Sequence, residues 1–294
     1  MERFKKYNIK SSNNDMRTQK IRTVTDDRLV MDGLLYKSEN KSDTIVINIH
    51  GTAGNFYAND FIKAMASGYT DQSIDFMPVN NRGHDFIAEI KRAGKLKSKT
   101  IGYAYENFED CIHDIKAWIN FAAELKYKNI ILQGHSLGAV KCVYYLHKIK
   151  DKRVNGLILA SPPDIVGLIL KRKKPVKLTG NLLLMNSSDS LQVVSKRTME
   201  QLGRENGPAD IFSTYSPDKK SVLGEIGIPI FAFFGDVNEA TTMNSEKALE
   251  ILHEKAERCN DFTYKVFRGA NHIYLNKEKR VAAELAKWIT SRYQ

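Results

Sequence analysis

A mainly parallel β-sheet with helices on both of its faces, an α/β architecture, is what the sequence predicts, on three observations. Short apolar runs of strand length alternate with longer segments whose apolar residues recur at helical spacing through most of the chain. Glycine-bearing turns follow several of those runs directly, as at His50-Gly51 and at Gly134. The 294 residues, 42% of them hydrophobic, suffice for the core of one large domain or of two small ones.

Residues 21–25 and 29–36 flank the pair Asp26-Asp27 and read as an antiparallel hairpin. The run 44–49 (TIVINI) is a buried strand, followed by a helix over 56–67 and a strand over 74–79 that ends in NNRGHD. Residues 105–125 carry Phe108, Ile112, Ile115, Trp118, Ile119 and Ala122 at helical spacing, which predicts a long helix with one buried face. Strand 129–133 runs into Gly-His-Ser-Leu-Gly-Ala, a helix continues to about residue 149, and strand 154–160 ends at Ser161-Pro162-Pro163. The chain closes with strand 228–234, helix 245–258, strand 263–268 and helix 277–290. Residues 164–227 break this rhythm, with helix-like pieces, a Gly207-Pro208 break and no evident strand. An insertion of that length is expected to fold as a helical cap over the C-terminal ends of the strands, where open α/β sheets bind ligands. The core domain is then 1–163 with 228–294, and the cap is 164–227.

Composition narrows the function classes. No apolar run reaches the length of a membrane span, and the basic N-terminus lacks the apolar stretch of a secretory signal. Cys111, Cys142 and Cys259 lie far apart without CxxC or metal-ligand spacing, which fits reduced thiols in a cytoplasmic protein. The net charge is +11, with the excess gathered at 91–99 (KRAGKLKSK), 148–153 (KIKDKR) and 171–177 (KRKKPVK). Such runs are ordinary solvated surface; read more sharply, they would attract an acidic carrier protein, coenzyme A or an anionic surface. Nucleic acid is not expected, because no aromatic-interleaved basic stripe or recognition-helix pattern occurs.

The chemistry is carried by three stretches. Gly134-His135-Ser136-Leu137-Gly138 lies between an apolar strand and a helical pattern, so Ser136 would sit on a sharp strand-to-helix turn, with small neighbours letting strand and helix pass closely. Acyl transfer also needs two backbone N–H donors for the developing oxyanion. Leu137 supplies one; Thr52, in His50-Gly51-Thr52-Ala53-Gly54 after the earlier strand, supplies the other. Gly51 and His135 are candidates to contact substrate. Gly269-Ala270-Asn271-His272 follows the last strand, and from there an imidazole can take and return a proton above the sheet. The acid belongs on the loop Gly235-Asp236-Val237-Asn238-Glu239, with Glu239 the first candidate, Asp236 the second and Asp164, after the preceding strand, a third.

The stretches HGTAGNFY, NNRGHD, AYENFEDCIHDIKAWINF, GHSLGAVKCVYYL, LILASPPD and GANHIYL resemble the α/β-hydrolase superfamily, in particular its esterase and acyl-hydrolase branch, from about residue 21 onward. The resemblance implies an eight-stranded, mostly parallel sheet and a Ser-His-acid triad needing neither metal nor cofactor. It also implies substrates with ester, thioester or lactone bonds. Many such enzymes carry the acid three residues after the glycine, where this chain has Asn238, an amide without charge. Two alternatives follow: a thioesterase acting on carrier- or coenzyme A-bound acyl groups, and a non-catalytic binding protein on a hydrolase scaffold.

The remaining features read as structure. Arg82 in NNRGHD is expected in an Arg–Asp pair, Cys142, Tyr144 and Tyr145 in the core, and Asp110, His113 and Asp114 on the wet face of their helix. Leu182 to Met185 would either wall an acyl pocket or bury the cap on the body.

Overall fold

Buried strands need their backbone groups paired and their side chains covered on both faces, and that requirement organises the chain. The structure is a computed structural model that describes residues 7–8, 17–57, 60–171, 176–186, 191–237 and 239–294. Strands β1 (Tyr7–Asn8), β2 (Arg17–Val24) and β3 (Val30–Lys37) pair antiparallel in turn, with β2 and β3 reversing at Asp26-Asp27. Then come β4 (Thr44–Ile49), helix α1 (Asp60–Thr70), β5 (Asp75–Val79) and a hairpin of β6 (Ala88–Ile90) and β7 (Lys99–Ile101). Two short 3₁₀ turns precede α2 (Cys111–Glu124), so the expected long helix starts later than its apolar spacing suggests. Next are β8 (Asn129–His135), α3 (Leu137–Ile149) and β9 (Val154–Ala160). An insertion holds α4 (Ile165–Lys171), β10 (Val176–Thr179), β11 (Leu182–Asn186), β12 (Leu191–Ser195) and α5 (Lys196–Gly203). The chain ends with β13 (Ile230–Val237), α6 (Ser245–Lys255), β14 (Phe262–Asn271) and α7 (Glu278–Tyr293).

The main sheet runs β1-β2-β3-β5-β4-β8-β9-β13-β14, and the six strands from β5 to β14 are mutually parallel. This is the expected eight-stranded, mostly parallel sheet with the two-residue β1 added at its edge. Alternation along each strand assigns its side chains to two layers. Ile45, Ile47, Leu132 and Leu157 pack with Trp118 of α2, Val143 of α3 and Leu252 of α6. Val46, Ile131, Ile158 and Phe231 face the other way, against Phe61 and Met65 of α1 and Leu285 and Ile289 of α7. Cys142, Tyr144 and Tyr145 lie in the first layer, as expected.

Two expectations are corrected. Residues 164–227 are not purely helical: β10, β11 and β12 form a three-stranded antiparallel sheet between α4 and α5. Gly180, with φ 50°, reverses the chain between β10 and β11, so a glycine-containing two-residue turn between apolar runs was the signal for a hairpin. Of the Leu182–Met185 wall, Leu182 and Leu183 are half-buried, whereas the side chains of Leu184 and Met185 lie outside the description, as do residues 172–175 of the third basic run. Asp114 does not sit on a wet face either. It is fully buried and accepts from Arg82 at the backbone N–H (2.8 Å), Nε (3.1 Å) and Nη2 (2.8 Å). Arg82, itself 3% exposed, also reaches Asp27 (3.0 Å) and Asp110 (3.1 Å). The guanidinium thereby ties the loop after β5 to α2 and to the β2–β3 turn, and the Arg82 expectation holds with these three partners. No helix among the described residues is long and apolar enough to cross a membrane.

Because Asp114 has no access to water, Arg82→Met leaves a buried charge without its counter-ion and is expected to destabilise the fold by about 3–5 kcal/mol. Asp110→Asn removes only a half-exposed partner and should lower stability by less than about 1 kcal/mol. Urea unfolding of the two variants beside the parent measures both.

Candidate active site

Parallel pairing sets Ile49 at the end of β4 beside Gly134 near the end of β8. The chain order in the sheet reverses between these two strands, the position at which doubly wound sheets open a crevice. Ser136 turns there with φ 54° and ψ −127°, a conformation that a side-chain-bearing residue holds only under strain. Its N–H donates to Ala160 O (2.9 Å) and its carbonyl accepts from Ala139 N–H (2.8 Å), so strand β9 and the first turn of α3 fix the bend. The glycines around it answer to close approach. A Cβ on Gly138 would stand 2.1 Å from Ile49 O, and one on Gly134 would stand 2.4 Å from Gly138 O. The spacing of the motif therefore reports a physical contact between α3 and the end of β4.

The loop after β4 lies against this bend, since a Cβ on Gly51 would be 2.8 Å from Ser136 Cβ. Thr52 follows it, half-buried, and Ala53 takes φ 48°. Leu137 begins α3 directly after Ser136. His50 is buried, and its Nε2 accepts the Asn81 N–H (3.1 Å), so Nδ1 carries the hydrogen and donates to Gly51 O (2.9 Å). Burial, then the neighbouring Lys141 charge, push the His50 pKa down to about 3.

His272 leaves the end of β14 and its Nδ1 meets Glu239 Oε2 at 2.8 Å. The Glu239 side chain is 4% exposed, while that of His272 is 28% exposed. With Nδ1–H donated to the carboxylate, Nε2 keeps a lone pair for a proton. The second Glu239 oxygen accepts from Gly235 N–H (2.7 Å) and Ser161 Oγ (2.9 Å). Ser161, at φ 47°, spends its hydroxyl hydrogen on Glu239 and so accepts from Tyr274 OH (2.9 Å). Ser161 and Tyr274 were not singled out in the sequence; a serine directly after a strand and a tyrosine two residues past His272 carry little signal alone.

The other candidates have different partners. Asp236 accepts from Gly269 N–H (2.7 Å) and pairs with Arg268 (3.5 Å), bracing the turn at the end of β14. Asp164 lies at the root of the insertion and accepts from Thr214 Oγ1 (2.7 Å) and Gly167 N–H (3.2 Å). Burial raises its pKa. Asn238 lies outside the described residues. His135, expected to touch substrate, is instead buried beneath the His272 loop. Its Nε2–H donates to His272 O (2.8 Å), and its ring sits 4.9 Å from that of His272. The cause is alternation along β8, which turns residue 135 toward Phe61 and Tyr274. Burial, with His272 second, holds the His135 pKa down at about 3.

Residues 44–179 match the family model described as alpha/beta hydrolase fold. Among solved structures the chain is similar to Est1E from Butyrivibrio proteoclasticus with ferulic acid bound. Identity is 15% and the TM-score 0.65, over 90% of this chain and 96% of that one. It is similar to the esterase domain of a Rhodothermus marinus protein at 13% identity and TM-score 0.63, over 94% and 99% of the two chains. For the Pyrococcus furiosus esterase Pf2001 the values are 15% and 0.60, over 97% and 96%. At such identities the shared property is the fold. A comparison with curated protein sequences found no match.

His50 and His135 both stay neutral in the folded chain down to about pH 3, whereas the unfolded chain protonates them near 6.5. The unfolded state therefore binds more protons between those values, and stability is expected to fall as pH drops from about 6.5 toward about 3. Urea midpoints across that range should show the decline, and His135→Phe should flatten it.

Proposed function

Since the chain is an α/β hydrolase by fold, we propose that it is a serine hydrolase that cleaves carboxylic esters, and related thioesters or lactones, through an acyl-enzyme. The observation that carries this reading is the His272–Glu239 contact on the loops beyond β14 and β13, held against His135, the residue before the strained turn at Ser136. A part-exposed imidazole with one nitrogen held by a buried carboxylate is built to accept a proton and to be stabilised once charged.

In this mechanism Ser136 Oγ attacks the substrate carbonyl while His272 Nε2 takes the hydroxyl proton. Glu239 keeps Nδ1–H in place and offsets the imidazolium charge. The oxyanion is received by the N–H groups of Leu137 and Thr52, already oriented by the helix start and by the clamped Gly51 carbonyl, so little reorganisation accompanies charge development. Collapse of the tetrahedral intermediate breaks the bond to the leaving group, which departs with the proton from His272. Water then adds by the same route and releases the acid. No step calls for a metal or an organic cofactor. Residues 164–227 serve as a cap on this crevice. They are tied to the body by Thr198 Oγ1 donating to Glu106 O (2.7 Å) and by Gln201 Oε1 accepting Phe108 N–H (3.1 Å).

The test is hydrolysis of a short p-nitrophenyl ester together with labelling by a fluorophosphonate. Ser136→Ala is expected to lose labelling and to lower kcat by about 10⁴-fold or more. Glu239→Gln should lower kcat by about 10³-fold or more, and Asp236→Asn by less than about threefold. Full activity in Ser136→Ala overturns the mechanism; equal losses in the two acid variants overturn the choice of Glu239.

A further inference from the structure

A lysine with none of its surface exposed sits one helical turn beyond the nucleophile. Lys141, on α3, is fully buried; its Nζ pairs with Glu106, 4% exposed, and donates to Asn81 Oδ1 (3.0 Å). Burying an ammonium is expensive even beside a carboxylate, and apolar residues of similar size serve a core as well or better. Packing alone therefore does not account for Lys141. Its connections run to one place.

Asn81 Oδ1 receives both Lys141 Nζ and Gly83 N–H (2.9 Å), which fixes the orientation of the amide. The amide nitrogen then faces His50 O (3.4 Å), and the Asn81 backbone N–H binds His50 Nε2 (3.1 Å). That second bond sets the tautomer of His50, so that Nδ1–H donates to Gly51 O (2.9 Å), a carbonyl that also accepts from Gly54 N–H (3.2 Å). In a planar trans peptide the C=O and N–H point in opposite directions. Gripping the Gly51 carbonyl from the His50 side therefore turns the Thr52 N–H to the opposite side of the same peptide. Burial pushes the Glu106 carboxyl above its ordinary range while Lys141 opposes that shift. Glu106 also lies over Gly83, where a Cβ would be 2.3 Å from its Oε2, and its carbonyl holds the insertion through Thr198.

We propose that Lys141 is a positioning residue for the oxyanion loop, acting through Asn81 and His50 on the Gly51–Thr52 peptide. The proposal rests on the serine-hydrolase reading above and assigns a role to four residues outside the triad. Lys141 anchors Asn81, Asn81 orients His50, His50 clamps Gly51, and the donor at Thr52 is thereby set before substrate arrives. Glu106 supplies the counter-charge and joins the same anchor to the insertion.

Two variants test this. Lys141→Met with Glu106→Leu removes both buried charges at once and leaves neither unpaired, so the fold is expected to keep the parent's urea midpoint. Asn81→Ala keeps the charge pair but cuts the link between Lys141 and His50. Both variants are expected to lose about 10- to 100-fold in kcat with KM for a p-nitrophenyl ester changed less than about threefold, since loss of an oxyanion donor acts on the transition state. Affinity for a phenylboronic acid, whose tetrahedral adduct places an oxygen in the same site, should fall in parallel. The pH profile of kcat/KM should stay in place, because His272 and Glu239 are untouched. A well-folded variant of either kind with parental kcat and boronate affinity overturns the proposal. So does a shifted pH profile, which would route the effect through the triad. If the double variant unfolds, Asn81→Ala still decides the question. Failure of the parent to hydrolyse esters or react with a fluorophosphonate would instead overturn the underlying reading.

Discussion

The ends of β4 and β8 lie side by side in parallel register, and the chain leaving β8 must bend at once to start α3 without striking the carbonyls of Ile49 and His50. That approach, with room for no Cβ at Gly138, dictates most of what surrounds it. It forces Ser136 into its strained conformation, presses Gly51 against the serine, and brings a helix N-terminus beside the loop that follows β4. Relaxing it by a single methyl group would push α3 away from the end of β4.

Around this bend the molecule keeps charge in two buried groups of unlike design. Arg82 gathers Asp114, Asp27 and Asp110 and fastens loop to helix, with each nitrogen of its planar fork matched to an oxygen. Lys141 holds a single carboxylate and a single amide, and its remaining influence passes outward through Asn81. The first arrangement spreads a cation over three anions; the second sets a compact ammonium against one carboxylate and one amide oxygen. Both arrangements thus meet in neighbouring residues of one loop, Asn81 and Arg82, directly after β5.

Legibility in the sequence followed the range of the contacts involved. The turn at Ser136 and the loop at Thr52 could be read directly, because glycine spacing encodes a local steric demand. The acid could only be narrowed to a short run. Strand β13 continues past Gly235 with a shift of register before Val237 pairs with Asn271, which rotates Asp236 toward Gly269 and lets Glu239 reach back to His272. Spacing along the chain does not reveal such a shift. The strands of the insertion were missed since leucine-rich runs suit either helix or strand when no partner is known. Asp114 looks like a wet-face residue on an amphipathic helix, and only the arrival of Arg82 from a distant segment shows otherwise.

The grip on Glu239 also bears on how such a site can change over generations. Three donors converge on its two oxygens: the Gly235 N–H, the Ser161 hydroxyl and the His272 ring. Shortening the side chain to aspartate leaves it unable to span from Gly235 to the imidazole, and moving the carboxylate to a neighbouring position strands the Ser161–Tyr274 pair behind it. No single substitution carries the acid to another place in the loop with all three donors still answered. Once a lineage has adopted glutamate here, with serine and tyrosine fitted beneath it, drift back to another placement requires several coordinated replacements. The position is held by its neighbours as a ratchet holds a wheel.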